Sequence, residues 1–442
     1  MSFGVRTDEI GVDGSAVRRT VQVNDADPLR LMARLARSGL FADHVVYERP
    51  GRWTFAGGVL GEVILENGTV QTRWNGEEPV VSAWSGRPAR ALDEAFRTSP
   101  LRTWNAYGWI AFEFAGQARG QRLAHLVVPR AEVRIEAGEA HLTGVDADEV
   151  ARVAALLEAP GEQAAGVPSP VDVRVDGDRY RTRVARAVEE IGAGLYQKVI
   201  VSRKLPIPFP VDVVSTYERG RSANTPARSF LLHLGGFQAT GFSPEVLASV
   251  DATGTVMTQP LAGTRAFGRG ADADAATRQE LETDPKEIFE HAVSVRTSQE
   301  ELYSVCETGT VQVSGFMTVK ERGSVQHLGS SVSGLLAPGR TSWDALDALF
   351  PGVTASGIPK REAIEAITRL EEPRGLYSGA VLAVSHDGSL DAALVLRALY
   401  ADESGAWLRA GAGIVTGSTP AREYEETCEK LSSIAPYVVP AS

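Results

Sequence analysis

The sequence predicts an α+β fold in which helices flank large antiparallel sheets. Short strand-like segments follow one another at hairpin spacing, and Gly-Gly and Asn-Gly pairs stand between them. Helix-like segments do not alternate regularly with these strands, as they would around a parallel sheet. With 442 residues, 43% of them hydrophobic, the chain is long enough to bury a sizeable core.

The first part of the chain is rich in strand-like segments. Residues 1–17 are interpreted as a flexible tail. Residues 18–170 are predicted to form an α+β part that completes the sheets, with helices at 27–39 and 147–158. The Pro-, Gly- and Ala-rich segment APGEQAAGVPSP, residues 159–170, is the predicted boundary.

Residues 171–442 form a second predicted domain with longer helices. The spacing of apolar residues predicts helices over 177–194 and 273–304 and a closing helix from Pro420. The strand-like runs between them include KVIVSRKLPI, AWLRAGAGIV and SLDAALVLRALYA, and each is interpreted as one strand.

Composition excludes several classes of protein. The formal net charge is −11, from 45 basic and 56 acidic residues, which argues against a nucleic-acid-binding face. No run approaches the roughly 20 apolar residues of a membrane span, and the N-terminus lacks the apolar segment of a signal peptide. Cys306 and Cys428 are expected to be reduced thiols. We therefore expect a cytoplasmic protein.

Two predicted helices each place a Glu-x-x-Glu pair on one face. The pairs are Glu287 with Glu290 and Glu423 with Glu426. Together they would suit Mg²⁺, which prefers oxygen ligands, and no zinc-type Cys/His spacing is present. The pattern is also typical of a solvated helix surface, with Lys430 as an i,i+4 partner of Glu426. From the pattern alone, both interpretations stay open.

Glycine-rich loops and isolated polar residues are further candidates. Backbone N–H groups at glycines approach anions closely, although the same glycines can form plain turns. A buried arginine needs an anionic partner, which the protein itself could supply. His327 is either a hydrogen-bond donor to a ligand or a histidine of the hydrophobic core. The candidates are Gly263, Thr264, His327, Thr354, Tyr377, Arg397, Gly411 and Gly413.

Lys198 and Glu245 are the candidate base and acid. Lys198 begins a predicted strand, and Glu245 follows a turn in GFSPE. A lysine base needs a lowered pKa, and a glutamate acid needs a raised one. Only the environment in the fold determines such shifts.

The segments that carry these residues, taken together, resemble the chorismate-utilising enzymes. This family includes the anthranilate synthase large subunits, the isochorismate synthases and the salicylate synthases. The motifs are YQKVIVSR, GFSPE, PLAGTR, KEIFEH, SVQHLGS, FPGVTASGIPK, GLYSGAV, DAALVLR, RAGAGIV and EYEETCEKL. Within the family the chain most resembles the salicylate synthases of mycobactin-type siderophore pathways, also in VVYERPGRWTFAGG. The resemblance implies an anthranilate synthase component I-like fold, with residues 171–442 as the chorismate-binding catalytic domain.

The resemblance also implies residue roles in turning chorismate, through isochorismate, into salicylate and pyruvate. Lys198 would activate water for attack at C2, and Glu245 would protonate the departing C4 hydroxyl. Glu290 and Glu426 would bind Mg²⁺ directly, and Glu287 and Glu423 through water, with Mg²⁺ holding the ring carboxylate. Tyr377, Arg397, Gly411 and Gly413 would hold the pyruvyl carboxylate. The other implied pocket residues are Gly263, Thr264, His327, Thr354 and Lys430.

Differences from the motifs of related enzymes narrow the choice of function within the family. Anthranilate synthases typically lack the lysine at position 198, and aminodeoxychorismate synthases carry a lysine where Ala262 stands. Gln259 departs from the salicylate synthase pattern, in which Glu precedes Pro260. The resemblance implies a monomer without a glutaminase subunit. The alternatives are an isochorismate synthase that stops at isochorismate, an anthranilate synthase-like enzyme and a non-catalytic anion-binding module.

Overall fold

The computed structural model describes residues 16–24, 26–116, 122–160, 165–176, 179–322 and 325–441. Ten α-helices lie in this described part. They are α1 (Pro28–Arg37), α2 (Pro88–Arg97), α3 (Ala147–Glu158), α4 (Tyr180–Gly192), α5 (Val213–Ser222), α6 (Ala271–Thr283), α7 (Pro285–Tyr303), α8 (Ser342–Leu349), α9 (Lys360–Leu370) and α10 (Pro420–Leu431).

The strands of the described residues are mostly four to seven residues long. They are β1 (Val17–Gln22), β2 (His44–Arg49), β3 (Arg52–Gly57), β4 (Gly61–Glu66), β5 (Thr69–Trp74), β6 (Val80–Ala83), β7 (Asn105–Ile110), β8 (Arg122–Val128), β9 (Ala131–Glu136), β10 (Glu139–Gly144), β11 (Lys198–Ile207), β12 (Arg228–Leu234), β13 (Phe237–Ser243), β14 (Val246–Val250), β15 (Thr255–Thr258), β16 (Leu261–Ala266), β17 (Gln312–Arg322), β18 (Val325–Leu335), β19 (Gly357–Ile358), β20 (Ala380–Ser385), β21 (Leu390–Leu394), β22 (Ala398–Asp402) and β23 (Gly405–Ile414).

These strands form two large sheets, and all their pairings are antiparallel. The first sheet has the order β1-β10-β9-β3-β2-β12-β13-β22-β23-β11-β19. The second has the order β16-β18-β15-β14-β21-β20-β7-β8-β4-β5-β6, with β17 beside β18. Both sheets combine strands from before and after residue 170, so the N-terminal part does complete the sheets. The predicted domain boundary itself stays a prediction.

One layer of the hydrophobic core lies between the two sheets, and other clusters lie on their outer faces. Tyr47 and Phe230 of the first sheet meet Trp109 and Val381 of the second in the layer between them. Outside the first sheet, one cluster includes residues of α1, α3 and α5. Outside the second sheet, another includes residues of α2, α7 and α8. A fourth cluster packs α4, α9 and α10 around β11 and β23, and so fixes the helices next to the candidate site.

The prediction of a single helix over 273–304 is wrong in one respect, because the helix is interrupted at Asp284. Pro285 disfavours helical backbone at the residue before it, and Asp284 has φ −73° and ψ 114°. The Asp284 carboxylate accepts hydrogen bonds from the backbone N–H groups of Lys286 and Glu287, and so caps α7. This cap fixes where α7 begins, and therefore which positions in the helix Glu287 and Glu290 occupy.

Segments interpreted as single strands cross from one sheet to the other. Leu390–Leu394 pairs in the second sheet and Ala398–Asp402 in the first, and Arg397 lies between them with φ +52°. Likewise β3 and β4, and β8 and β9, belong to different sheets. Period-2 patterning shows which residues alternate, but it does not show which sheet a strand joins.

Several boundaries also differ from the sequence-based prediction. Strand β1 begins at Val17, inside the predicted tail, whose first 15 residues lie outside the described part. Helices α2, α5, α8 and α9 were not predicted from the sequence. Both cysteines are buried free thiols. No helix among the described residues is long and apolar enough to span a membrane.

Candidate active site

One cavity lies where the two sheets meet the helices α7 and α10. It contains about 1160 Å³ of empty space, including its open mouth. Its walls come from the start of β11, the end of β23, the crossing segments at residues 244–245 and 396–397, and the faces of both helices.

Strands β11 and β23 form the floor of the cavity. Ile200 pairs with Gly413 and Ser202 with Gly411 in the antiparallel register. A Cβ atom at Gly411 would lie 2.9 Å from the Tyr377 hydroxyl oxygen and 2.8 Å from a backbone carbonyl oxygen. The site therefore requires glycine at this position, where Tyr377 approaches the backbone closely. Gly411 and Gly413 lie near the end of β23, which confirms the interpretation of AWLRAGAGIV as one strand.

Lys198 is buried and paired with a carboxylate of α7. The lysine is 4% exposed, and its Nζ donates to Glu290 Oε1 at 2.5 Å. A Cβ at Gly413 would lie 3.3 Å from both Lys198 Cε and Glu290 Oε1, which places this pair over the floor. The predicted base and a predicted metal ligand are thus in direct contact.

Glu245 is buried in another part of the same cavity. It is 4% exposed, and its Oε1 accepts a hydrogen bond from the Thr354 hydroxyl at 2.7 Å. Burial raises the pKa of Glu245 from 4.5 to about 8, against the opposing effects of Thr354, the Leu261 backbone and Lys198. The carboxyl therefore holds a proton at neutral pH, as a general acid must.

Arg397, His327 and Gly263 form a chain of hydrogen bonds beside Glu245. Burial and the Arg397 charge lower the pKa of His327 to about 3, so its imidazole is neutral. Arg397 Nη2 lies 2.7 Å from His327 Nε2, and His327 Nδ1 lies 2.7 Å from the Gly263 carbonyl oxygen. Arg397 thus donates to Nε2, and the Nδ1 proton goes to Gly263. The histidine orients the arginine.

Gly263 adopts a backbone conformation that favours glycine. Its φ is +65°, and the pairing of β16 with β18 shifts register between Ala262 and Arg265. The predicted glycine-rich loop is therefore an irregularity within a strand. It turns the Gly263 carbonyl oxygen towards His327.

The four glutamates of the two Glu-x-x-Glu pairs lie on α7 and α10, and three of them line the cavity. Besides Lys198 with Glu290, Lys430 Nζ lies 2.8 Å from Glu426 Oε1, and Arg265 lies 3.4 Å from Glu287. Burial and the nearby charges of Glu290 and Glu426 raise the pKa of Glu287. Burial alone would raise the pKa of Glu426, but the Lys430 charge holds this pKa below its usual value.

Glu423 is the fourth of these carboxylates and is almost fully buried. Its Oε2 has no hydrogen-bond partner among the described residues. An orphaned buried carboxylate oxygen beside other carboxylates fits a cation, because the donor set is entirely oxygen. No group of three or more acidic, histidine or cysteine side chains in the described part is already gathered as a ligand set. The Mg²⁺ site stays a prediction.

Lys430 links the acidic face to the floor. Its Nζ also donates to the Gly411 carbonyl oxygen at 2.9 Å. The closing helix begins at Pro420 as predicted, and Thr419 caps it by accepting a hydrogen bond from the Arg422 N–H. This start places Glu426 and Lys430 one turn apart on the face towards the cavity.

The structure gathers most of the predicted site residues at this cavity. The residues found in its walls are Lys198, Glu245, Gly263, Glu287, Glu290, His327, Thr354, Tyr377, Arg397, Gly411, Gly413, Glu426 and Lys430. Glu423 lies outside the wall, and the side chain of Thr264 lies outside the described set. Gln259 is not in the wall either; its amide lies 3.2 Å from the Ser331 hydroxyl oxygen.

Sequence reasoning missed several charged wall residues. Arg409 lies two residues before Gly411 on the same strand face, and period-2 spacing could have found it. Lys286 stands four residues before Glu290, and Arg422 four before Glu426, so helical spacing pointed to both. Arg409 pairs with Glu371, and Arg422 pairs with Glu429.

Comparison with known proteins identifies the family. Residues 45–436 match the family model described as chorismate binding enzyme. The chain belongs to this family.

Members of the family with known names show how far the likeness extends. The salicylate synthase of Mycolicibacterium paratuberculosis is 48% identical over 446 positions, 98% of each chain. The anthranilate synthase component 1 of Streptomyces coelicolor is 41% identical over 254 positions, 57% of this chain and 50% of that protein.

Solved structures of the family share the architecture. The anthranilate synthase component I from Streptococcus pneumoniae has a TM-score of 0.73 at 26% identity, covering 88% of this chain and 92% of that one. The menaquinone-specific isochorismate synthase from Escherichia coli has a TM-score of 0.73 at 19% identity, covering 96% and 95%, and supports the fold alone. The predicted fold and the predicted family are confirmed.

Proposed function

We propose that the protein is a salicylate synthase, which converts chorismate through isochorismate into salicylate and pyruvate. The observation that carries the proposal is one cavity that holds both a buried lysine and a glutamate that is protonated at neutral pH. The near full-length likeness to a salicylate synthase supports the choice of reaction.

The first step adds water at C2 of the substrate and removes the C4 hydroxyl. Lys198 takes a proton from water, whose oxygen bonds to C2 while the ring double bonds shift. Glu245 gives its proton to the C4 hydroxyl, which leaves as water. The lysine needs its neutral form for this, so the contact with Glu290 must loosen before the amine accepts a proton.

The arginine and glycine groups orient the substrate for this step. Arg397, held by His327, faces the cavity beside Tyr377 and presents a planar donor fork to a carboxylate. Because Gly411 has no Cβ atom, the Tyr377 hydroxyl can lie close to the floor. We assign the enolpyruvyl carboxylate to this end of the cavity.

The second step needs no acid or base from the protein. The hydrogen at C2 moves to the methylene carbon of the enolpyruvyl group while the C3–O bond breaks. Pyruvate leaves and the ring becomes aromatic. The protein's part is to hold the side chain near C2 and to exclude bulk water.

Mg²⁺ is the cofactor that we propose. Glu290 and Glu426 would hold it directly, and Glu287 and Glu423 through water. When bound, it would neutralise the ring carboxylate and compete with Lys198 for the Glu290 oxygen. Without a cation, the carboxylates of α7 and α10 would repel the substrate, so EDTA should abolish turnover and added Mg²⁺ should restore it. Turnover that persists in chelator would contradict the assignment.

The biological setting is part of the same proposal. The product would serve siderophore biosynthesis in the cytoplasm, and the enzyme would act as a monomer without a glutaminase subunit. The use of water rather than ammonia as nucleophile makes a glutaminase unnecessary, because Lys198 can activate water directly.

The deciding experiment is incubation of the purified protein with chorismate and Mg²⁺. We expect salicylate, measured by its fluorescence, and pyruvate to form in equal amounts. Isochorismate without salicylate or pyruvate would replace the proposal with an isochorismate synthase. Anthranilate formed in the presence of ammonia, with no salicylate, would indicate an anthranilate synthase-like enzyme.

A further inference from the structure

A second cavity adjoins the first at the Lys198–Glu290 pair. It contains about 1360 Å³ of empty space, including its open mouth. Lys198, Lys286 and Glu290 line both cavities. The groups that would hold the substrate, among them Glu245 and Arg397, line only the first.

The other walls of the second cavity come from four segments that meet at the start of β11. They are the turn before that strand, the exposed side of α7, the start of α9 and the residues after β23. Leu195 and Phe289 stand at its rim with 54% and 70% of their surface exposed. The cavity is therefore open to solvent, and its size allows many waters at roughly 30 Å³ each.

The chemistry of the proposed reaction requires water at Lys198 while the substrate is bound. The first cavity then holds the substrate, whose ring and two carboxylates occupy the space in front of the lysine. Lys198 itself is only 4% exposed, so water does not reach it freely. Because Lys198 lines both cavities, the shared wall offers water an approach to this residue that does not pass the substrate.

We propose that the second cavity supplies the water molecule that Lys198 activates, so that water and substrate reach the lysine by separate routes. This proposal rests on the proposed function, since only the addition step consumes water at C2. The second step, which releases pyruvate from isochorismate, is intramolecular and needs no water. Closing the cavity should therefore separate the two steps.

Val293→Trp tests the route, because Val293 is a half-buried wall residue of the second cavity and does not line the first. We expect chorismate consumption to fall about tenfold or more, and salicylate formation from supplied isochorismate to stay within about twofold. Arg296→Trp adds the same bulk to an exposed position of α7 outside both cavities, and should leave both rates within about twofold.

Val415→Phe is the second variant, placed on the opposite wall segment in case the first does not fold. Thermal unfolding of each variant checks that it is native. A selective loss of the first step in either folded variant supports the route. Unchanged chorismate consumption in the folded variants, or equal loss of both steps, overturns it. Absence of both steps in the unmodified protein overturns the proposed function itself and the water route with it.

Discussion

The two ends of the active-site cavity treat charge in opposite ways. At the crossing segments, burial disfavours charge: it raises the pKa of Glu245 to about 8 and lowers that of His327 to about 3. Along α7 and α10, burial also raises the pKa of Glu287, but cations pair with three of the four carboxylates, and Lys430 keeps the pKa of Glu426 low. One end keeps a carboxyl group protonated, and the other holds carboxylates paired with cations. The comparison explains how one cavity can both protonate a leaving group and hold a dianion.

Lys198 stands between the two ends, and its removal should have the largest effect. Lys198→Gln removes the base that accepts the proton from water, and we expect chorismate turnover to fall about 10²–10⁴-fold. Conversion of supplied isochorismate should be affected much less. Mg²⁺ binding, measured by calorimetry, should remain. Isochorismate formation from chorismate at the normal rate would remove Lys198 from the role of base.

The charged end is tested by Glu426→Gln. Losing one carboxylate charge should raise the Mg²⁺ concentration for half-maximal activity about tenfold or more, since affinity follows the charge of the ligands. A Mg²⁺ titration of the initial rate measures this. Glu425→Gln is the matched control, because Glu425 is half-buried on the same helix, lies outside the cavity wall and pairs with Arg174. An equal response of both variants would place the cation elsewhere.

The end of the cavity that contains Glu245 is tested by the pH dependence of turnover. Because Glu245 must be protonated, kcat/KM for chorismate should fall above pH 8, approaching about tenfold per pH unit. The folded pKa lies above the unfolded one, so the native state retains a proton that the unfolded chain loses. Its contribution to stability is complete below about pH 4.5 and is lost as the pH rises through 8. An activity profile that is flat to pH 9 would contradict the assignment of the acid.

The smallest expected effect concerns the hydrogen bond from Thr354 to Glu245. This bond favours the charged carboxylate, so Thr354→Val should raise the pKa of Glu245 further and move the alkaline limb to higher pH. At pH 7 we expect kcat/KM to change only about two- to tenfold. Ser356→Ala removes a nearby hydroxyl that bonds the Gly352 carbonyl instead, and should leave the limb in place. A limb moving to lower pH would contradict this account.

The helical part of the site was predictable from sequence spacing. Glu423, Glu426 and Lys430 share a face because of the 3.6-residue repeat, and Thr419-Pro420 marks where their helix begins. The same holds for Glu287 and Glu290, although Asp284-Pro285 starts their helix later than the pattern of 273–304 indicated. Local geometry alone determines which residues of one helix face together.

The strand part of the site was not predictable in the same way. Glu245 and Arg397 lie on two segments that cross between the sheets and contact each other, as in the hydrogen bond from Ser243 Oγ to the Leu394 carbonyl. Such crossings depend on which distant strands pair, and a strand of alternating residues fits either sheet. The pattern therefore left SLDAALVLRALYA as one strand.

The sequence by itself determined the α+β class, the two carboxylate-bearing helices and, through its motifs, the family. Only the tertiary structure decided that Lys198 pairs with Glu290, that His327 is neutral and bound to Arg397, and that burial keeps Glu245 protonated. The reason is that a pKa depends on desolvation and on charges brought together from distant positions of the chain. Residue type and spacing do not contain that information until the sheets and helices enclose the site.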